Sequence, residues 1–263
     1  LARNFSVIPQ FFRAPTDNDK SFGNWIAKDW KKTHLDSTLS AIPLKDGEYV
    51  YHYGEDGASD KAGSSASAKS GGNIRLRLEV APQQDGFVDV KATYSFEGNL
   101  PELPRLGLMM QLPRVAYDQV KWYGRGPWEN YPDRMQSCPI GWYESSVENQ
   151  FTHYPRPQDN GNHEDCSYIE LANKNGKNAL QVIAAGNTPL SFSVLPYSVA
   201  DLSAARHDFE LKQSGNPNLR YTYLSLDCAV LGLGNSSCGP GVLKKYAIDK
   251  AKTYTLHFKM RIL

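Results

Sequence analysis

NIRLRLEVAPQQDGFVDVKATYSF, residues 73–96, holds two runs of alternating apolar and polar side chains on either side of an Asp-Gly pair. In the first, Ile74, Leu76, Leu78 and Val80 alternate with Arg75, Arg77 and Glu79; in the second, Val88, Val90, Ala92, Tyr94 and Phe96 share one face. Successive side chains of a strand point to opposite faces, so a period of two predicts half-buried strands. Asp85-Gly86 is the kind of pair a tight hairpin turn favours, and the two strands are expected to pair antiparallel across it.

The same alternation recurs along the chain. Strands are expected at EYVYHY (48–53), LGLMMQL (106–112), VKWYG (120–124), ALQVIA (179–184), LSFSVL (190–195), YTYLSLDCAVL (221–231) and TYTLHFKMRI (253–262). The last puts Tyr254, Leu256, Phe258, Met260 and Ile262 on one face, as an antiparallel sheet with one wet face does. Helical signal is thin. NWIAKDWKKTHL (24–35) predicts one short helix, and SVADLSAARHDFEL (198–211) another, with Ser198 and Asp201 as a capping box and Leu202, Ala205 and Phe209 on one face. SDKAGSSASAKSGG (59–72) reads as a flexible loop, not a linker, because the strand pattern resumes unchanged beyond it. The expected architecture is all-β: one large antiparallel β-sandwich domain over residues 1–263, with one or two short helices.

Composition excludes several partners. With 29 basic against 28 acidic residues the net charge is +1, and no run of one sign forms the basic stripe that a nucleic acid or anionic membrane would need. Apolar runs such as Cys228–Leu231 are far shorter than the about 20 residues of a membrane-spanning helix. No charged-then-apolar leader opens the chain, and the start at Leu1 suggests a piece cut from a longer protein, so the compartment is not readable. Cysteines at 138, 166, 228 and 238 form no Cys-x-x-Cys pair and read as buried free thiols, with no metal site.

The chemistry-bearing candidates are clusters of Gly, Pro, Arg and carboxylates. WYGRGPWENYPDR (122–134) places Glu129 and Asp133 four apart. A retaining glycosidase needs two carboxyl groups about 5–5.5 Å apart. That separation requires a helix through both residues, which Pro132 opposes, and an extended chain would hold them about 13 Å apart. They are therefore not expected to pair with each other. The structural reading is a rigid loop braced by Arg125, Glu129, Asp133 and Arg134; the alternative is direct ligand contact. RAPTDND (13–19) also reads as a braced turn whose polar groups can bond sugar hydroxyls. PRPQDNGNHED (155–165) offers His163, Glu164 and Asp165, but adjacent residues point apart and make a poor metal site. His207 and Glu210, three apart on the second expected helix, are a candidate base–acid pair, with a structural role the commoner outcome. No Ser-His-Asp arrangement, P-loop or dinucleotide fingerprint is present, and the Asn-x-Ser triplets at Asn4 and Asn235 carry no inference.

FFRAPTDND, WYGRGPWENYPDR, PQDNGN, PYSVADLSAARHDFEL and GLGNSSCGPG occur in one order and spacing. In these motifs, from about Gln10 to Leu263, the chain resembles the C-terminal domain of β-galactosidases of glycoside hydrolase family 2. The resemblance implies an antiparallel supersandwich related to galactose mutarotases, the last domain of an enzyme that hydrolyses terminal β-D-galactosides with retention. It implies that the acid–base and nucleophile glutamates belong to a (β/α)₈ barrel of the same polypeptide, so that this chain alone is inactive and holds no catalytic residue, metal or cofactor. Implied partners are the galactoside and that barrel, and homo-oligomerisation of the full-length enzyme is left open. In some members a loop matching GNSSCGPG (234–241) stacks a Trp near the galactosyl site, and that position here is Cys238, which lacks an indole's apolar face. Asn235, Ser237, Cys238, Arg13, Asp17 and Asn18 are then the expected cleft-lining or carbohydrate-binding residues, with Trp128 and Tyr131 as candidate replacements for the missing ring. Asp159 stands where Glu is commoner in PQ-x-NG. A stand-alone carbohydrate-binding module, a mutarotase-like enzyme using His207 and Glu210, and a purely structural sandwich are the rival readings.

Overall fold

In the computed structural model the described residues are 6–21, 25–36, 42–43, 46–54, 71–176, 179–186, 188–212 and 217–263. The chain runs β1 (Ser6–Gln10), α1 (Asp17–Lys20), α2 (Trp25–Lys32), β2 (Ile42–Pro43), β3 (Glu48–Gly54), β4 (Gly71–Pro82), β5 (Val88–Gly98), β6 (Arg105–Pro113) and β7 (Gln119–Arg125). It continues through β8 (Ile140–Ser146), β9 (Asn162–Cys166), β10 (Tyr168–Ala172), β11 (Leu180–Ala184), β12 (Leu190–Leu195), α3 (Val199–Ala204), α4 (Asp208–Leu211), β13 (Tyr221–Val230) and β14 (Tyr254–Ile262).

The strands form two antiparallel sheets, one of five in the order β1-β6-β13-β12-β9 and one of nine in the order β2-β3-β4-β5-β14-β11-β10-β7-β8. The opening hairpin is β4–β5, paired from Gly72↔Gly98 to Pro82↔Val88, with Gly86 in its turn at a φ of +80°. Ile74, Leu76, Val90, Ala92 and Tyr94 are buried as the alternation requires, whereas Val80, near the projecting tip of the hairpin, is exposed. The core between the sheets is rich in aromatics. Phe11 meets the edges of Tyr51, Tyr53 and Tyr94, and His163 stacks on Phe192 beside Trp122.

The second face is where the sheets differ. On β12, Leu190, Phe192 and Val194 enter the core, yet Ser191, Ser193 and Leu195 on the opposite face are buried as well. Leu195 joins a satellite cluster with Ala14, Phe151, Tyr197, Leu202 and Leu211, so α3 and α4 help cover the outer face of the five-stranded sheet.

Several expectations change. The helix over 198–211 breaks in two because Ala205 adopts extended angles, and Phe209, placed on its apolar face by periodicity, is 70% exposed while Leu202 is buried. The first helix is shorter than expected, at Trp25–Lys32, and Trp30 is its buried anchor. β1, β2, β8 and β9 carry too little alternation, or too many polar residues, to predict strands, and β10 alternates over only five residues. Residues 59–70 of the expected loop, and Asn4, lie outside the described residues; Gly71 and Gly72 begin β4.

Candidate functional site

The Gly- and Pro-rich segments meet, bonded side chain to backbone. Thr16 caps α1, and its reciprocal partner Asp19 also takes a bidentate pair from Arg13, at 3.0 Å from Nε and 2.8 Å from Nη2. Arg13 donates onward to the Leu231 and Gly232 carbonyls, where the chain leaves β13. Its exposure is 0%, so Arg13 braces the loops and cannot line a cleft. Asp17 and Gln158 exchange two hydrogen bonds, of 2.9 and 3.1 Å, which fasten the RAPTDND turn to PQDNGN. Asp159 accepts from the Tyr131 hydroxyl at 3.0 Å and lies 3.6 Å from Arg105.

In WYGRGPWENYPDR the two carboxylates turn to different loops. Glu129 accepts from the Tyr154 hydroxyl and the Gly161 amide, and burial pushes its carboxyl up despite those bonds. Asp133 accepts from the amides of Leu233 and Gly234 at 2.9 and 2.8 Å. Arg125 bonds Asp165 and the carbonyls of Met135 and Cys138. Arg134 donates to the Gly234 carbonyl and to Asn235 Oδ1.

Loop 234–241 is thereby pinned at its base. Asn18 donates from Nδ2 to the Gly234 carbonyl at 2.8 Å and accepts at Oδ1 from the Ser237 amide at 3.0 Å. Gly234 bends at a φ of +63°, where a Cβ would also meet the Val242 nitrogen at 2.8 Å. Within the loop, Cys238 and Gly239 donate to the Asn235 carbonyl, and Asn235 donates to Pro240. So the structure brings Asn18, Asn235 and Ser237 together with Asp133 and Arg134, and leaves Cys238 exposed at the loop's tip. Cys138 and Cys166 are buried as expected of free thiols; Cys228 is half-buried, and Cys238 departs from that reading.

The other candidates separate. Trp128 is 72% exposed, whereas Tyr131 is buried at 1% and offers no ring to a sugar. His207 stacks on exposed Phe209, while Glu210 accepts from the Arg206 amide, so these two do not converge on a cavity. His163, Glu164 and Asp165 turn to different groups, His163 and Asp165 to the carbonyl and the guanidinium of Arg125. His163 Nδ1 lies 3.1 Å from the Arg125 carbonyl and Nε2 lies 2.6 Å from the Gln150 side-chain amide. Glu164 accepts from Asn162 and Ser191 at 2.7 Å each, and Asp165 takes Arg125. Burial pushes the His163 imidazole down to about 4 and the Glu164 carboxyl up to about 7. Glu164 and Ser191 also line a cavity of about 530 Å³, with Cys228, Tyr246 and Tyr254; it shares no residue with loop 234–241.

Periodicity missed the buried partners of these groups. Arg105 and Asp227 form a bidentate pair at 3.2 and 2.6 Å under the loops, although both sit in strands that alternate like any wet-faced strand. Burial opposes the Arg105 charge, but Asp227 and then Asp159 outweigh it and raise the guanidinium's pKa. Gly107 makes room for the pair, since a Cβ there would fall 2.1 Å from Asp227 Oδ1.

Two antiparallel sheets with interlocked loops pinning one exposed tip define a large β-sandwich module. Its polar groups are mostly spent on holding loops in place. The chain belongs to the β-galactosidase small chain family, whose model matches residues 2–261. It is 31% identical to a β-galactosidase of Staphylococcus xylosus, 30% to one of Lactobacillus delbrueckii subsp. bulgaricus and 28% to one of Actinobacillus pleuropneumoniae. Those matches cover 95%, 96% and 95% of this chain but 24%, 23% and 22% of the relatives. The chain therefore spans about a quarter of the length of the curated relatives it matches. Among solved structures it is similar to a putative aldose 1-epimerase from Escherichia coli K12, with 9% identity and a TM-score of 0.39 over 86% of this chain and 69% of that one.

Proposed function

We propose that the chain is the C-terminal β-sandwich domain, over residues 1–263, of a larger β-galactosidase that hydrolyses terminal β-D-galactosides. In that enzyme it packs on a catalytic barrel and shapes the mouth of the substrate cleft. The acid–base and nucleophile carboxylates then lie outside this chain.

The observation that carries this reading is loop 234–241, exposed at Cys238 yet fixed at its base by Asn18, Asp133 and Arg134. Side chains from two other loops are committed to holding that tip, as a contact to a neighbouring site requires. A second support is that Glu129, Asp133, Asp159 and Asp227 are each bonded within the chain, which gives them structural work.

Two measurements test the proposal. The pure chain should leave a chromogenic β-galactoside intact, and turnover that persists through further purification would place the catalytic pair here. In the full-length enzyme, Cys238→Trp adds a ring whose contacts are worth about 0.5–1.5 kcal/mol, so KM should fall by about threefold. Unchanged KM and kcat would remove this loop from the cleft.

A further inference from the structure

The outer face of the nine-stranded sheet carries a second arrangement, away from loop 234–241. Strand register aligns Trp142 with Tyr123, Tyr123 with Tyr168, and Tyr168 with Ile183, so the three residues lie in line on β8, β7 and β10 while their rings gather into one cluster around Trp142. Trp142 is 57% exposed, and its ring centroid lies 5.3 Å from each tyrosine. Two residues along, a parallel row of polar side chains crosses the same strands and extends to β14: Glu144, Lys121, Glu170, Gln181 and Arg261.

The polar row is bonded together and fixed in place. Gln181 donates to the Tyr168 hydroxyl and to Glu170, both at 2.9 Å, and accepts from Arg261 Nε at 2.9 Å. Lys121 sits over the Trp142 ring at 5.3 Å, and Arg261 over Phe87 at 4.3 Å. Two carboxylates and two cations make the row neutral as a whole.

From this geometry we infer that the outer face of β8, β7, β10, β11 and β14 binds a neutral, soluble oligosaccharide lying across the strands. Aromatic faces take the C–H surfaces of pyranose rings, while the carboxylate, amide and guanidinium groups beside them take hydroxyls. Neighbouring strands are about 4.8 Å apart, close to the length of one sugar unit in an extended chain, so the polar row across five strands matches about four units, with the aromatic cluster at its β8 end. The rings are inclined to one another, Trp142 by 56° to Tyr123 and 66° to Tyr168. Such a stepped surface suits a single flexible chain and not a flat crystalline one. The cancelled charges disfavour an acidic glycan, and an open row edged by hydrogen-bonding groups suits hydroxyls better than the apolar core of a protein contact. This inference does not rest on the cleft reading above.

Affinity electrophoresis of the chain in gels containing soluble β-1,4-galactan, and in parallel mixed-linkage β-glucan, tests it. At least one polymer should retard the chain, and Trp142→Ala and Tyr123→Ala should each weaken that retardation by about tenfold in Kd. Phe209→Ala, exposed on α4 over the five-stranded sheet, should leave it unchanged. Absence of retardation by both polymers would overturn the inference, as would retardation that survives Trp142→Ala. So would a Trp142→Ala variant that loses a protein contact, seen as a changed elution volume, while binding polymer as before.

Discussion

The two sheets share one pattern of alternation and put it to different uses. On β10 of the nine-stranded sheet, Ile169 and Leu171 are buried while Tyr168 and Glu170 are partly open to water. On β12 of the five-stranded sheet all six residues are buried, Ser191 and Ser193 included. Loops and the α3–α4 segment cover that second face, and every polar group beneath them needs a bonding partner. Ser191 finds Glu164, Ser225 finds Gln10, and Arg105 finds Asp227. A polar residue in an alternating strand thus marks the face away from the core, and only the loops decide whether that face is wet.

The largest expected effect tests how deeply the covered face depends on its pairs. Asp227→Ala leaves Arg105 charged and buried with only Asp159, at 3.6 Å, as a nearby carboxylate. Removing one partner of a buried ion pair costs about 3–5 kcal/mol, so the urea midpoint should fall steeply with the slope of the transition unchanged. A loss below about 1 kcal/mol would mean that water reaches the pair and that the face is not sealed.

A second test uses pH at two neighbours on β9, His163 against the core and Glu164 at the covered face. His163 is held at about 4 against an ordinary 6.5, so between those values the unfolded chain binds a proton that the folded chain does not. Its contribution is complete above pH 6.5 and is lost as pH falls toward 4. Glu164 is held at about 7 against an ordinary 4.5, so there the folded chain binds the extra proton. Its contribution is complete below pH 4.5 and is lost as pH rises through 7. Across pH 4.5–6.5 the two slopes oppose each other, each worth about 3 kcal/mol in total. Relative to the parent chain, Glu164→Gln should make stability rise more steeply with pH in this window, and His163→Gln should make it fall. Chemical denaturation at several pH values reads the slopes, and variants that both follow the parent would remove these groups from the balance.

The same contrast explains what the sequence allowed. The β4–β5 hairpin, β6, β7, β13 and β14 were legible because one face of each enters a common core and the other carries visibly different side chains. β9, with the sequence NHEDC, was not, because it turns a histidine toward Phe192 and Trp122 and its other residues are mostly polar, so no apolar period survives. The helix over 198–211 was read too long because Leu202, Ala205 and Phe209 fit a helical face, while Ala205 turns extended. At the loops, residue types announced a braced structure, and the spacing kept Glu129 from Asp133. Nothing local tells that Asp133 would reach the amides 100 and 101 residues away, or that Arg13 would be buried and Asn18 half-exposed. Those partners are set by tertiary contact. The Tyr123–Trp142–Tyr168 cluster is a matter of register between strands, of which β8 has no buried face to show a period and β10 alternates over only five residues.

The smallest expected effect lies on the open sheet and completes the contrast. Arg75 and Glu97 meet diagonally across β4 and β5 with a 2.7 Å contact, close to the 2.6 Å of the Arg105–Asp227 pair, but their side chains are 44% and 49% exposed. Water already solvates both charges, so Glu97→Ala strands nothing, and the loss should be about 0.5 kcal/mol or less. It should shrink further as salt is raised, since exposed charges are screened over about 10 Å at 0.1 M ionic strength. Measured beside Asp227→Ala under one set of conditions, the two variants compare pairs of similar geometry that differ in cover. Equal losses would mean that distance and not burial sets the cost, and the distinction between a sealed and an open second face would lose its energetic meaning.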